Sequence, residues 1–164
     1  MSGFAMGAQT NTVYTATELT QGKAFAVGDR YADSIGQEWL FVRSGSAITA
    51  YDCVHVNASY DANPITDTLA LTAGFVGFAQ VAYTASNQYG WVMVSGQPTI
   101  RLAASCADDV PLYTTNTAGV LDDATASASG SQIMSVIANG SASGGGVTAV
   151  ACTSIMPTVR RPAA

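Results

Sequence analysis

From Tyr89 to Ser95, alternate positions carry Tyr89, Trp91 and Met93 on one side and Gly90, Val92 and Val94 on the other. Both faces of an extended chain there are largely apolar, which predicts a strand covered on two sides. Phe75 to Tyr83 is a second β-rich run, and the polar loop Thr84 to Gln88 between them has hairpin length. Gly96-Gln97-Pro98 reads as a turn before a short strand at Thr99 to Leu102. Another strand at Val110 to Tyr113 leads through the turn Asn116 to Gly119 into Val120-Leu121. Upstream, Glu38 to Arg43 is also apolar on both faces; the turn Ser44-Gly45-Ser46 and the run Ile48 to Val56 predict a hairpin with it. Asn57 to Asp67, with Asn63-Pro64, reads as a loop, and Leu69 to Leu71 as a resumed strand. Asp122 to Ser131 is a small polar loop; Ile133 to Ala138 and Val147 to Met156 then form a pair of strands around a mobile tip of small residues, Asn139 to Gly146.

Short strands at this spacing predict an all-β fold, a compact β-sandwich or small β-barrel. The ends differ from the middle. Met1 to Lys23 is rich in small and polar residues, and its apolar members Phe4, Met6, Val13, Tyr14 and Leu19 are too irregularly spaced for one helical face. Thr15 to Leu19 has capping-box form, but little helix pattern follows. The expected organisation is therefore an extended N-terminal arm at 1–23, a β domain at 24–156 and a C-terminal tail at 157–164. On this reading the arm adds little to the domain's own stability, and its apolar residues serve as partner-binding anchors.

Composition sharpens the picture. Only 10% of the 164 residues are charged, against about 25% in ordinary globular domains. Lys23 is the only Lys, and Glu18 and Glu38 are the only Glu. A surface of Ala, Ser, Thr, Gly and Val suits close packing against other protein better than it keeps monomers apart. The net charge of −5, with a single basic doublet at Arg160-Arg161, argues against nucleic acid as a partner. No leader pattern and no 18-residue apolar run argues for a membrane, so synthesis in a cytoplasm is expected.

Candidate chemistry is sparse. Cys53, Cys106 and Cys152 are odd in number, which predicts buried free thiols. Cys53 and His55 would share a strand face, but same-face neighbours lie about 6.5–7 Å apart, too far for a nucleophile pair. Asp108-Asp109 and Asp122-Asp123 read as solvated turns; the spaced oxygen pattern of a calcium loop and the four close ligands of a zinc site are both missing. No nucleophile elbow, phosphate loop or dinucleotide fingerprint occurs. The expectation is a protein without catalytic residues, metal or cofactor.

Three ordered segments carry a resemblance. GDRYADSIGQEWLFVRSGSAITAYDCV from Gly28 to Val54, then QYGWVMVSG with TIRLA, then VPLYTTNTAGVLDDA ending at Ala124, are together similar to bacteriophage capsid decoration, or cement, proteins. The resemblance implies a structural virion protein on the outer surface of a phage head, where it binds the major capsid protein lattice and stabilises it. It also implies self-association, as a homotrimer or alternatively a homodimer. The competing reading is a head or fibre-type module recognising a host surface or glycan, with Trp39, Trp91, Tyr83 and Tyr89 as exposed stacking platforms.

Overall fold

A computed structural model describes residues 8–21, 25–124 and 130–161. In chain order its elements are β1 (Tyr14–Thr15), α1 (Ala16–Thr20), β2 (Arg30–Ala32), β3 (Glu38–Ser44), β4 (Cys53–Val56), β5 (Asp61–Pro64), a 3₁₀ turn (Leu69–Leu71), β6 (Phe75–Ala79), β7 (Gln88–Gly96), β8 (Thr99–Leu102), β9 (Leu112–Thr114), β10 (Leu121–Asp122), β11 (Gln132–Ala138) and β12 (Thr148–Arg160). The protein is all-β, as the alternation predicts, and five of the strands close a barrel. That barrel runs β3–β5–β4–β6–β7 and back to β3. A second cycle of pairing runs β8–β10–β9–β11–β12 and back to β8. The two rings join where Ser154 and Ile155 of β12 pair with Gly96 and Ser95 of β7.

The two-sided strands explain how the cores divide. Leu40 and Val42 of β3 point into the first ring with Val92 and Val94 of β7, Val54, Val56 and Ala62. The opposite faces of the same strands carry Trp39, Phe41, Trp91 and Met93, which form a separate aromatic layer outside that ring. Phe41 and Trp91 lie 5.0 Å apart, and the Phe25 ring meets Trp91 edge-on at 5.1 Å. A third cluster fills the second ring with Ile100, Leu102, Leu112, Leu121 and Ile133 and reaches back to Cys53, Val76 and Phe78 of the first. Burying both faces of β3 and β7 removes enough apolar surface to stabilise a chain with few charges, at ~25 cal/mol per Å².

Several expectations are corrected by this topology. The arm is not an extension held only from outside. Tyr14 and Thr15 pair with Tyr89 and Gln88 of β7, and Tyr14 is only 3% exposed, packed in the aromatic layer 6.4 Å from Phe41. α1 follows at once, with Thr15 Oγ1 accepting from Glu18 N and the Glu18 carboxylate accepting from Thr15 N at 2.7 Å. Irregular spacing excludes only a helical face; a two-residue strand buries a single large ring without any periodicity. At the other end the domain does not stop at Met156, because Thr158, Val159 and Arg160 continue β12 against Met134, Ile133 and Gln132.

The hairpin expected between Glu38–Arg43 and Ile48–Val56 does not form. β3 takes β7 along one edge and β2 and β5 along the other, which leaves no edge for β4. Ile48 instead makes one bridge to Tyr83. The loop expected at Asn57 to Asp67 contains β5, which ends at Pro64, and the next N–H, of Ile65, donates to Cys53 O of β4. Leu69 to Leu71 forms a 3₁₀ turn and not a strand. β6 and β7 do form a hairpin, but β6 ends at Ala79 and β7 already begins at Gln88, so the connection is longer than the expected Thr84 to Gln88 and Tyr83 within it bridges Ile48 instead. The β11–β12 hairpin forms as read, although its tip is tied down: Ala142 is buried and its N–H donates to Cys106 O at 2.8 Å.

Candidate interaction surface

Burial keeps the core thiols and the one histidine in their neutral forms. Cys53 is buried at the start of β4, and desolvation drives its thiol pKa far upward. His55, two residues on, is also buried; desolvation depresses its pKa, and its Nε2 lies 3.2 Å from the Thr72 hydroxyl. The pair is a protonated thiol and a neutral ring engaged elsewhere, so it is structural, in line with the strand-spacing argument. Cys152 is buried and pushed up to about 12 by the same cause.

Cys106 comes close to Asp122 and Asp123, a meeting that sequence distance concealed: one ligand atom from each lies within 4.8 Å of the others. The backbone already occupies these carboxylates. Asp123 Oδ2 accepts from Ala107 N at 2.8 Å, and Asp122 Oδ1 accepts from Asp123 N at 2.8 Å. Burial pushes the Cys106 thiol up to about 11 and also raises Asp122. Two engaged carboxylates and a protonated thiol fall short of the four ligands of a structural zinc site. The doublet is thus a loop clasp and not the free solvated turn expected of it.

A buried ion pair locks the two rings together. Arg101 Nη1 of β8 donates to Asp52 Oδ1, just before β4, while Asp52 Oδ2 accepts from Thr49 N at 2.8 Å. Burial raises the Asp52 pKa despite this guanidinium. The clasp demands a glycine at 119, where φ is +76° and a Cβ would strike the Asp52 carboxylate.

The proposed stacking platforms are not on the surface. Trp39, Trp91 and Tyr83 are all buried, Trp91 to 1% exposure, and Tyr83 is fixed by its hydroxyl donating to Trp91 O at 3.3 Å. Tyr89 is half-buried against the same layer. Strand alternation could not reveal this, because an aromatic face looks alike whether solvent or another segment covers it. Of the arm anchors, Phe4 and Met6 lie outside the described residues. Val13 packs on the first ring's core, Tyr14 is in the aromatic layer, and Leu19 packs against that layer.

What the surface does expose is apolar and mostly aliphatic. Ile35 at the β2–β3 turn is 78% exposed, Ile155 68%, Phe75 50% and Met156 47%. These side chains border two neighbouring cavities along the β7–β12 seam. One, of about 460 Å³, is lined by Ile35, Gln37, Gln97, Thr153 and Ile155 and contains no charged residue. The other, about 240 Å³, opens between Phe75 and Met156. The strip arises where Ile155 and Met156, consecutive and both exposed, break the in/out burial alternation of β12. No protein-family model and no curated protein sequence matches the chain.

Proposed function

We propose that this protein is a capsid decoration protein, a structural virion component that binds the outer surface of a phage head and stabilises its major capsid protein lattice. The observation that carries the reading is the strip Ile35, Ile155, Met156 and Phe75, large apolar groups kept in solvent in a chain of which only 10% of residues are charged. Contiguous exposed apolar surface of this kind marks contacts with other protein. The three-segment resemblance supplies the nature of that protein. The mechanism is linkage: a ligand that binds the assembled lattice and not its dissociated subunits stabilises assembly by its own binding free energy, multiplied over many equivalent sites. Self-association as a trimer, or else a dimer, belongs to the same proposal, since a seat on a symmetric lattice brings copies together.

The test is to ask whether the protein co-purifies with intact heads in fixed ratio to the major capsid protein, and whether heads lacking it lose heat resistance that adding it back restores. Heads that neither carry nor bind it would overturn the proposal.

A further inference from the structure

The smaller cavity differs from the rest of the surface in four respects. Its floor is core: Leu40, Val76 and Val94 are buried side chains of β3, β6 and β7. Its rim combines the exposed Phe75 and Met156 with Arg30 of β2, the one charged residue lining it. Arg30 makes no ion pair among the described residues, whereas Arg43 pairs with Asp61 at 2.6 Å and Arg101 with Asp52. Finally, the rim is strained into shape. Met134 and Val136 of β11 pair with Thr158 and Ser154, so Ile155, Met156 and Pro157 oppose Ser135 alone. Both sides of this bulge adopt left-handed backbone, Ser135 at φ +63° and Met156 at φ +49°. Such conformations cost free energy and persist only where the surroundings enforce them. Here the result is that two consecutive large side chains, Ile155 and Met156, both face solvent.

We propose that this cavity receives one apolar side chain of a protein partner, and that a carboxylate beside that side chain pairs with Arg30. At about 240 Å³ it is smaller than the roughly 300–1,000 Å³ of sites that enclose drug-sized molecules, which favours an anchoring side chain over a free ligand. The guanidinium on an apolar rim, without an ion pair among the described residues, selects a carboxylate at that point of the interface through local charge complementarity. A side chain seated in a well-packed, desolvated pocket is the usual make-up of an interface hot spot, and a charge pair at its rim adds orientation and partner choice. The proposal rests on the decoration reading, since the partner is then the major capsid protein.

The experiment measures binding of the full chain to heads that lack it. Arg30→Glu should weaken binding roughly tenfold and Arg30→Lys less, because only the guanidinium forks onto a carboxylate. Met156→Gly should also weaken it roughly tenfold while the thermal midpoint holds or rises, since glycine relieves the left-handed strain. Arg160→Glu, the same charge change at an exposed position on β12, should stay within about twofold of wild type. If wild type binds and Arg30→Glu or Met156→Gly binds equally well, or Arg160→Glu is just as damaging as Arg30→Glu, the cavity is not the anchor site and the decoration reading survives. If wild type itself does not bind heads, both fall.

Discussion

Replacing Tyr14 by Ala tests whether the N-terminal segment belongs to the domain's own core. The side chain is 3% exposed, lies in the layer made by Trp39, Phe41, Trp91 and Met93, and sits on a strand paired to the start of β7. Truncating a buried aromatic to Ala removes its transfer free energy and leaves a cavity, at a cost of about 3–5 kcal/mol. Against a total stability of about 5–15 kcal/mol that is a large fraction. In a chain of this length each kcal/mol moves the thermal midpoint by about 2–4 °C, so a drop of roughly 6–20 °C is expected. Two neighbours calibrate the result. Thr15→Ala removes the α1 cap and should cost about 0.5–2 kcal/mol, while Thr17→Ala, on the exposed face of α1, should stay within about 0.5 kcal/mol. Chemical denaturation of the isolated protein at constant m-value gives all three. If Tyr14→Ala costs no more than Thr17→Ala, the segment does not stabilise the domain and its order depends on contacts elsewhere.

Arg101→Met should cost about 3 kcal/mol by leaving the Asp52 carboxylate buried and unpaired, and Asp52→Asn with Arg101→Met should recover much of that in a double-mutant cycle; additive losses would refute the clasp between rings. His55 has a folded pKa below its unfolded 6.5, so the unfolded state takes up the proton first: its contribution is complete above that value and is lost as pH falls through it toward the folded pKa. Denaturant midpoints at pH 7 and pH 5 should therefore differ less in His55→Asn than in wild type, and equal differences would exclude His55 as a source. Cys106, at about 11, is only about one part in a thousand thiolate at pH 8, so all three thiols should react with a disulfide reagent only on unfolding; rapid labelling of the native protein would contradict their burial. Emission of Trp39 and Trp91 should be blue-shifted and poorly quenched by acrylamide, whereas ready quenching eased by sugar would restore the glycan-binding alternative.

Strand identity was legible in the sequence because alternation is a local property. Tyr89 to Ser95 showed two apolar faces, and both are buried, one in a barrel and one under an aromatic layer. The odd cysteines, the low charge and the existence of a β6–β7 hairpin were equally local signals, although β6 ends four residues earlier than its β-rich run suggested. Partner choice was not legible. Nothing near Glu38 to Arg43 says that β7, and not β4, lies beside it, because pairing between strands is decided by which closure buries the most surface across the whole chain. The same holds for Tyr14, whose burial requires β7 to be in place, for Cys106 beside Asp122 and Asp123, and for Arg30 above a floor built from three distant strands. Sequence alone determined most of the long extended segments and which of their faces must be dry, but not the short strands β1 and β5 or the 3₁₀ turn at Leu69 to Leu71. Only the tertiary structure decided what covers each face and which apolar groups remain outside, since those outcomes depend on contacts between residues that no short window contains.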